Sequence, residues 1–148
     1  MSAEPRIVAF LCHWCSYTGA DLAGTARIKY SPNVRILRVM CSGRIEPSFV
    51  MKAFREGADG VLICGCHPGD CHYHEGNYKC LRRFHMLQKM LPQFGVDAAR
   101  SRLEWVSASE GADFAKLADQ FTAQIRKLGP LARPAGKVDA QGRTTWAS

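Results

Sequence analysis

Three short apolar runs in this chain lead straight into cysteine. Ile7–Leu11 meets Cys12 and Cys15, Val34–Met40 meets Cys41, and Gly60–Ile63 leads through Gly65 to Cys66 and Cys71. Runs of this length, separated by segments long enough for helices, read as strands of a parallel sheet. The carboxyl ends of parallel strands share one edge, and ligands bind at that edge. Five of the seven cysteines are therefore expected to converge in space although they are distant in sequence. A metal or iron–sulfur site requires such convergence.

The remaining segments fit the same plan. A helix is expected near Gly19–Ile28, and Pro47 opens another that runs to about Arg55, proline being suited to a first helical turn. Gly65–Gly76 is a polar, glycine-rich loop of the kind that bears sites. Leu81, Phe84, Leu87, Met90 and Leu91 mark one face of a helix over Tyr78–Leu91. Leu103–Val106 reads as a fourth strand. Ser109 can cap a last helix with Phe114, Leu117, Ala118, Phe121, Ile125 and Leu128 inward. Four strand–helix units predict an α/β fold: a small flavodoxin-like, doubly wound parallel sheet of about four strands, order 2-1-3-4, in three layers. Residues 1–129 are expected to form this domain, with an iron–sulfur site as the leading reading. Residues 130–148 have no period and read as a tail, floppy or ordered only on a partner, with Trp146 a candidate anchor.

Composition narrows the function. No apolar run approaches the roughly 20 residues that span a bilayer, and no basic leader with a small-residue cleavage site precedes Cys12. A cytoplasmic, non-membrane protein is the expectation. An odd cysteine count in clusters suits metal or redox work in a reducing compartment better than a secreted disulfide framework. The net charge of +7 is scattered rather than concentrated in one basic run, so nucleic acid is not the expected partner, and an acidic protein surface or plain solvation is.

Iron–sulfur ligation takes about four thiolates held by rigid backbone. Cys12, Cys15, Cys41, Cys66 and Cys71 are five candidates for four places, with Cys15 and Cys41 the least constrained. Four ligands without a long ferredoxin run favour 2Fe–2S over 4Fe–4S. Gly43, Gly65 and Gly69 would let backbone amides approach the sulfurs. Trp14, Arg44, His67 and His72 lie beside the ligands and would set potential or dock a partner. Zinc stapling the same loops, or thiol–disulfide exchange at Cys12–Cys15, are the competing readings, and a Rieske-like site using two histidines is a further variant. Cys64 and Cys80 read as buried core thiols, and His85 as a helix-surface residue. No GxGxxG follows the first strand, so no dinucleotide site is indicated.

The loops Cys12-His-Trp-Cys15-Ser-Tyr, Val39-Met-Cys41-Ser-Gly-Arg44, Gly65-Cys66-His-Pro-Gly-Asp-Cys71-His-Tyr and Glu104-Trp-Val-Ser-Ala-Ser-Glu110 together resemble the delta subunit of methyl-viologen-reducing hydrogenase. The likeness runs from about Arg6 to Pro130. It implies a small 2Fe–2S electron-transfer protein without substrate turnover of its own. Such a protein links a hydrogenase, or a formate dehydrogenase, to the flavin-bearing subunit of a heterodisulfide reductase. The family's cysteine positions match Cys12, Cys15, Cys41, Cys66 and Cys71.

Overall fold

The computed structural model describes residues 4–131, 137–138, 141 and 144–145. Its main sheet has four parallel strands: β1 (Ile7–Cys12), β2 (Val34–Val39), β3 (Gly60–Gly65) and β4 (Ser101–Trp105). Their order is β2-β1-β3-β4, as expected. β3 is buried along its whole length and β1 nearly so, which their almost unbroken apolar sequences require. β2, at one edge, alternates half-buried Val34 and Ile36 with exposed Arg35 and Leu37.

Among the described residues, α1 (Ser16–Thr25), α2 (Pro47–Glu56) and α3 (Gly76–Met90) connect the strands, and α4 (Gly111–Leu128) follows β4. The sheet separates two apolar layers. Ile7, Ala9, Leu11, Leu62 and Cys64 pack with Ala20 of α1 and Phe114, Phe121 and Ile125 of α4. Phe10, Val61 and Ile63 pack with Val50 and Phe54 of α2 and Cys80 and Leu87 of α3. Alternate residues of one strand thus feed opposite cores, as a two-residue period dictates. Cys64 and Cys80 are core thiols, and His85 is exposed.

Three local features differ from expectation. α1 starts at Ser16 rather than near Gly19, because the chain turns into helix directly after the CxxC segment, with Cys15 as N-cap and its carbonyl accepting from the Gly19 amide. Ser109 does not cap α4. Its hydroxyl lies 3.1 Å from that of Ser107, and Glu110, the N-cap, instead turns its carboxylate back to accept the Ser107 amide at 2.8 Å. Leu128 stays exposed because α4 ends there, at Gly129. Beyond the main domain, Lys137–Val138 and Thr144–Thr145 pair as a two-stranded antiparallel ladder, and Trp146 lies outside the described residues.

Candidate metal centre

All five predicted thiols meet at the carboxyl edge of the sheet. Cys12 ends β1, Cys41 follows β2 and caps a 3-10 turn at Ser42–Arg44, and Cys66 and Cys71 lie in the loop after β3. Cys12, Cys15, Cys66 and Cys71 form one buried cluster with half-buried Cys41 packed against it. None is in a disulfide.

The spacing is informative. The Sγ atoms of Cys12 and Cys66 are 3.7 Å apart, and those of Cys41 and Cys71 are 4.0 Å apart. Two thiolates bound at about 2.3 Å to one tetrahedral metal sit about 3.8 Å from each other. Each pair thus has the separation of two ligands on a single metal. The Cys15 sulfur is within 4.8 Å of those of Cys12 and Cys66, completing a triad, and lies 3.4 Å from the Ser16 hydroxyl.

Backbone has been cleared to make this room. A Cβ on Gly76, the first residue of α3, would lie 2.1 Å from the Cys41 sulfur and 3.2 Å from that of Cys71. A Cβ on Gly43 would lie 2.9 Å from Gly76 Cα, so the turn and the helix end touch backbone to backbone. The donor set is all sulfur, and the missing side chain of Gly76 leaves room for the Cys41 and Cys71 sulfurs, which fits a thiolate-bound metal group.

Burial and crowding raise several of these thiols, as burial does the core thiols Cys64 and Cys80. The Cys12 thiol is pushed far up by its neighbour Cys15 and by burial, while burial pushes Cys66 up to about 11 and raises Cys41. These thiols stay protonated at neutral pH until a cation displaces the protons. A thiol–disulfide catalyst needs the reverse, a lowered first cysteine.

The neighbouring residues divide by role. The Gly43 amide donates to the Cys41 sulfur at 3.4 Å. Gly65 instead packs beside Ser42 and Trp105, and Gly69, at φ +93°, turns the exposed loop with open space around it. Gly43 and Gly76 are the glycines at which a Cβ would press on the thiols or on each other's backbone. His67 Nε2 lies 2.5 Å from Glu110 Oε1. Trp14 stacks on His72 with ring centres 3.8 Å apart and donates its indole N–H to the Tyr73 hydroxyl at 3.4 Å. The Cys12–Cys15 and Cys66–Cys71 segments are thereby tied together on their outer side. Arg44 is exposed. Among the described residues no histidine joins the group of potential metal ligands, which removes support for a Rieske-like site.

Sequence reading missed Gly76 and Asn77. Asn77 is 1% exposed, and its side-chain amide donates to the carbonyls of Cys66 and His67 at 3.2 and 3.1 Å. The only sequence signal for either was the loop-to-helix junction.

The family model described as methyl-viologen-reducing hydrogenase, delta subunit, matches residues 7–129. The iron-sulfur subunit of an F420-non-reducing hydrogenase from Archaeoglobus profundus is 56% identical over 128 residues, covering 86% of this chain and 93% of the relative. The vhc iron-sulfur subunit of an F420-non-reducing hydrogenase from Methanococcus voltae is 56% identical over 138 residues, 92% of this chain and 96% of the relative. A subunit of the ferredoxin/F(420)H(2)-dependent CoB-CoM heterodisulfide reductase from Methanosarcina acetivorans is 45% identical over 127 residues, 86% of this chain but 16% of the relative.

Proposed function

The chain belongs to the family of methyl-viologen-reducing hydrogenase delta subunits, and from that membership we propose that it is a cytoplasmic one-electron carrier holding a 2Fe–2S cluster. It takes electrons from a hydrogenase or formate dehydrogenase and delivers them to the flavin-bearing subunit of a heterodisulfide reductase-type complex. The observation that carries this reading is the convergence of five thiols, four of them in two pairs spaced as ligands of one metal each. Two metals and two pairs suit a two-iron cluster better than a single ion. In this reading Cys12 and Cys66 hold one iron, Cys41 and Cys71 the other, and Cys15 is spare.

When bound, the cluster supplies reversible uptake of a single electron. The chain's own residues hold the thiolates in a largely buried shell, and the Gly43 amide donates to a ligand sulfur, which favours the more negative, reduced state. The Methanosarcina relative supports the choice of acceptor, because there a domain like this one occupies a small part of a much longer reductase chain. Zinc on the same thiolates is the second reading, favoured by the Cys12–Cys15–Cys66 triad, which suits a single ion.

Coulometric titration of anaerobically purified protein tests the proposal. Uptake of one electron per chain with reversible bleaching of visible absorption is expected. A colourless protein that takes up no charge would leave only the structural zinc site.

A further inference from the structure

One side of α3 meets the Ser42–Arg44 turn through Gly76, Cys80 and Arg83, which follow one another at helical spacing. Gly76 touches Gly43 backbone to backbone. Cys80 is buried in the same apolar layer as Ile45. The half-buried Arg83 donates from one guanidinium nitrogen to the carbonyls of Gly43 and Ile45, the second at 3.5 Å. Helical side chains lean toward the amino end of their helix, which brings this guanidinium back toward the end of α3 that adjoins the thiols.

The turn has few bonds of its own. The Arg44 amide donates to the Cys41 carbonyl at 2.9 Å and the Ile45 amide to the Ser42 carbonyl at 3.1 Å. The next carbonyls, those of Gly43 and Ile45, are met from α3 by Arg83. The same turn presents the Gly43 amide to the Cys41 sulfur. Arg83 therefore grips the peptide unit that directly follows this amide–sulfur contact.

Resting on the carrier reading above, we propose that Arg83 is a positioning residue for the cluster: its grip on the Gly43 and Ile45 carbonyls keeps the Gly43 amide aimed at the Cys41 sulfur. An amide hydrogen bond to a ligand sulfur favours the reduced state and raises the reduction potential. Arg83 acts on that potential through the turn.

The test compares the iron-loaded full chain with Arg83→Met, which keeps the apolar stem and loses the donor, and Arg83→Lys, which keeps a charged donor of slightly shorter reach. Potentials are read by spectroelectrochemical titration. Pulsed paramagnetic resonance of the reduced proteins, grown with isotopically labelled glycine nitrogen, reads the coupling of the Gly43 amide to the cluster. In Arg83→Met the potential should shift to more negative values and the glycine coupling should weaken, and Arg83→Lys should restore part of both. Should Arg83→Met fail to hold iron, Arg83→Gln, uncharged and shorter, takes its place in the comparison. An unmoved potential, even with a lowered denaturation midpoint, would overturn the proposal and leave Arg83 a structural residue. A shifted potential with unchanged glycine coupling would also overturn it, because the charge alone would then act. Wild type without iron would contradict the carrier reading itself, whereas iron-loaded variants indistinguishable from wild type contradict only the role of Arg83.

Discussion

The absence of a methyl group at Gly76 allows two thiols to approach. A Cβ there would overlap the Cys41 sulfur and crowd that of Cys71, and overpacking of this kind costs about 1–3 kcal/mol when neighbours must shift. Gly76→Ala is therefore expected to lose most of its bound iron while its far-ultraviolet circular dichroism persists. Full iron content in that variant would show that the thiols can rearrange freely. On the proposed pairing Cys66 is a ligand and Cys15 is spare. Cys66→Ser should lose the native visible spectrum, and Cys15→Ser should keep it. If instead Cys15→Ser is colourless and Cys41→Ser is coloured, the pairing is wrong and the Cys12–Cys15–Cys66 triad is the binding unit.

The start of α3 and the start of α4 hold the loop that carries two of the thiols. From α3, buried Asn77 donates to the carbonyls of Cys66 and His67. Leaving buried carbonyls without a donor costs about 1–3 kcal/mol, so Asn77→Ala should lower the denaturation midpoint in guanidinium with little change in slope. An unchanged midpoint would mean the loop is held by the thiols alone. From α4, the Glu110 carboxyl is held down at about 2 by the Ser107 amide and then by His67. Its folded value lies below its ordinary value of 4.5, so its contribution is fully present above that value and is lost as pH falls toward about 2. Wild type should therefore exceed Glu110→Gln in stability above the ordinary carboxylate range, and the margin should shrink as pH falls below it. A margin independent of acid would contradict the arrangement. Neither anchor was legible in sequence. Asn77 directs its amide to a loop ten residues earlier, and Glu110 took the N-cap position that the sequence suggested for Ser109.

At the scale of the whole molecule, the sheet does most of the assembly. Its strands were legible because β1 and β3, buried on both faces, are short unbroken apolar runs, and the order β2-β1-β3-β4 follows from parallel connections through helices. That topology alone brings Cys12, Cys41 and Cys66 to one edge, which is why the site could be placed from strand ends before any distance was known. The distances themselves depend on how closely α3 approaches the Ser42–Arg44 turn, a backbone contact between Gly43 and Gly76 that leaves no periodic trace in sequence. The core that supports this is ordinary. Leu62 is fully buried in the α1/α4 layer, and Leu62→Ala should cost about 2–5 kcal/mol in denaturant. Whether two pairs of thiols hold a two-iron cluster is tested by counting iron, sulfide and zinc in anaerobically purified protein and recording its low-temperature paramagnetic resonance before and after reduction. About two irons and two sulfides per chain are expected, with a signal only after reduction. A protein with one zinc, no sulfide and no signal in either state would contradict the claim.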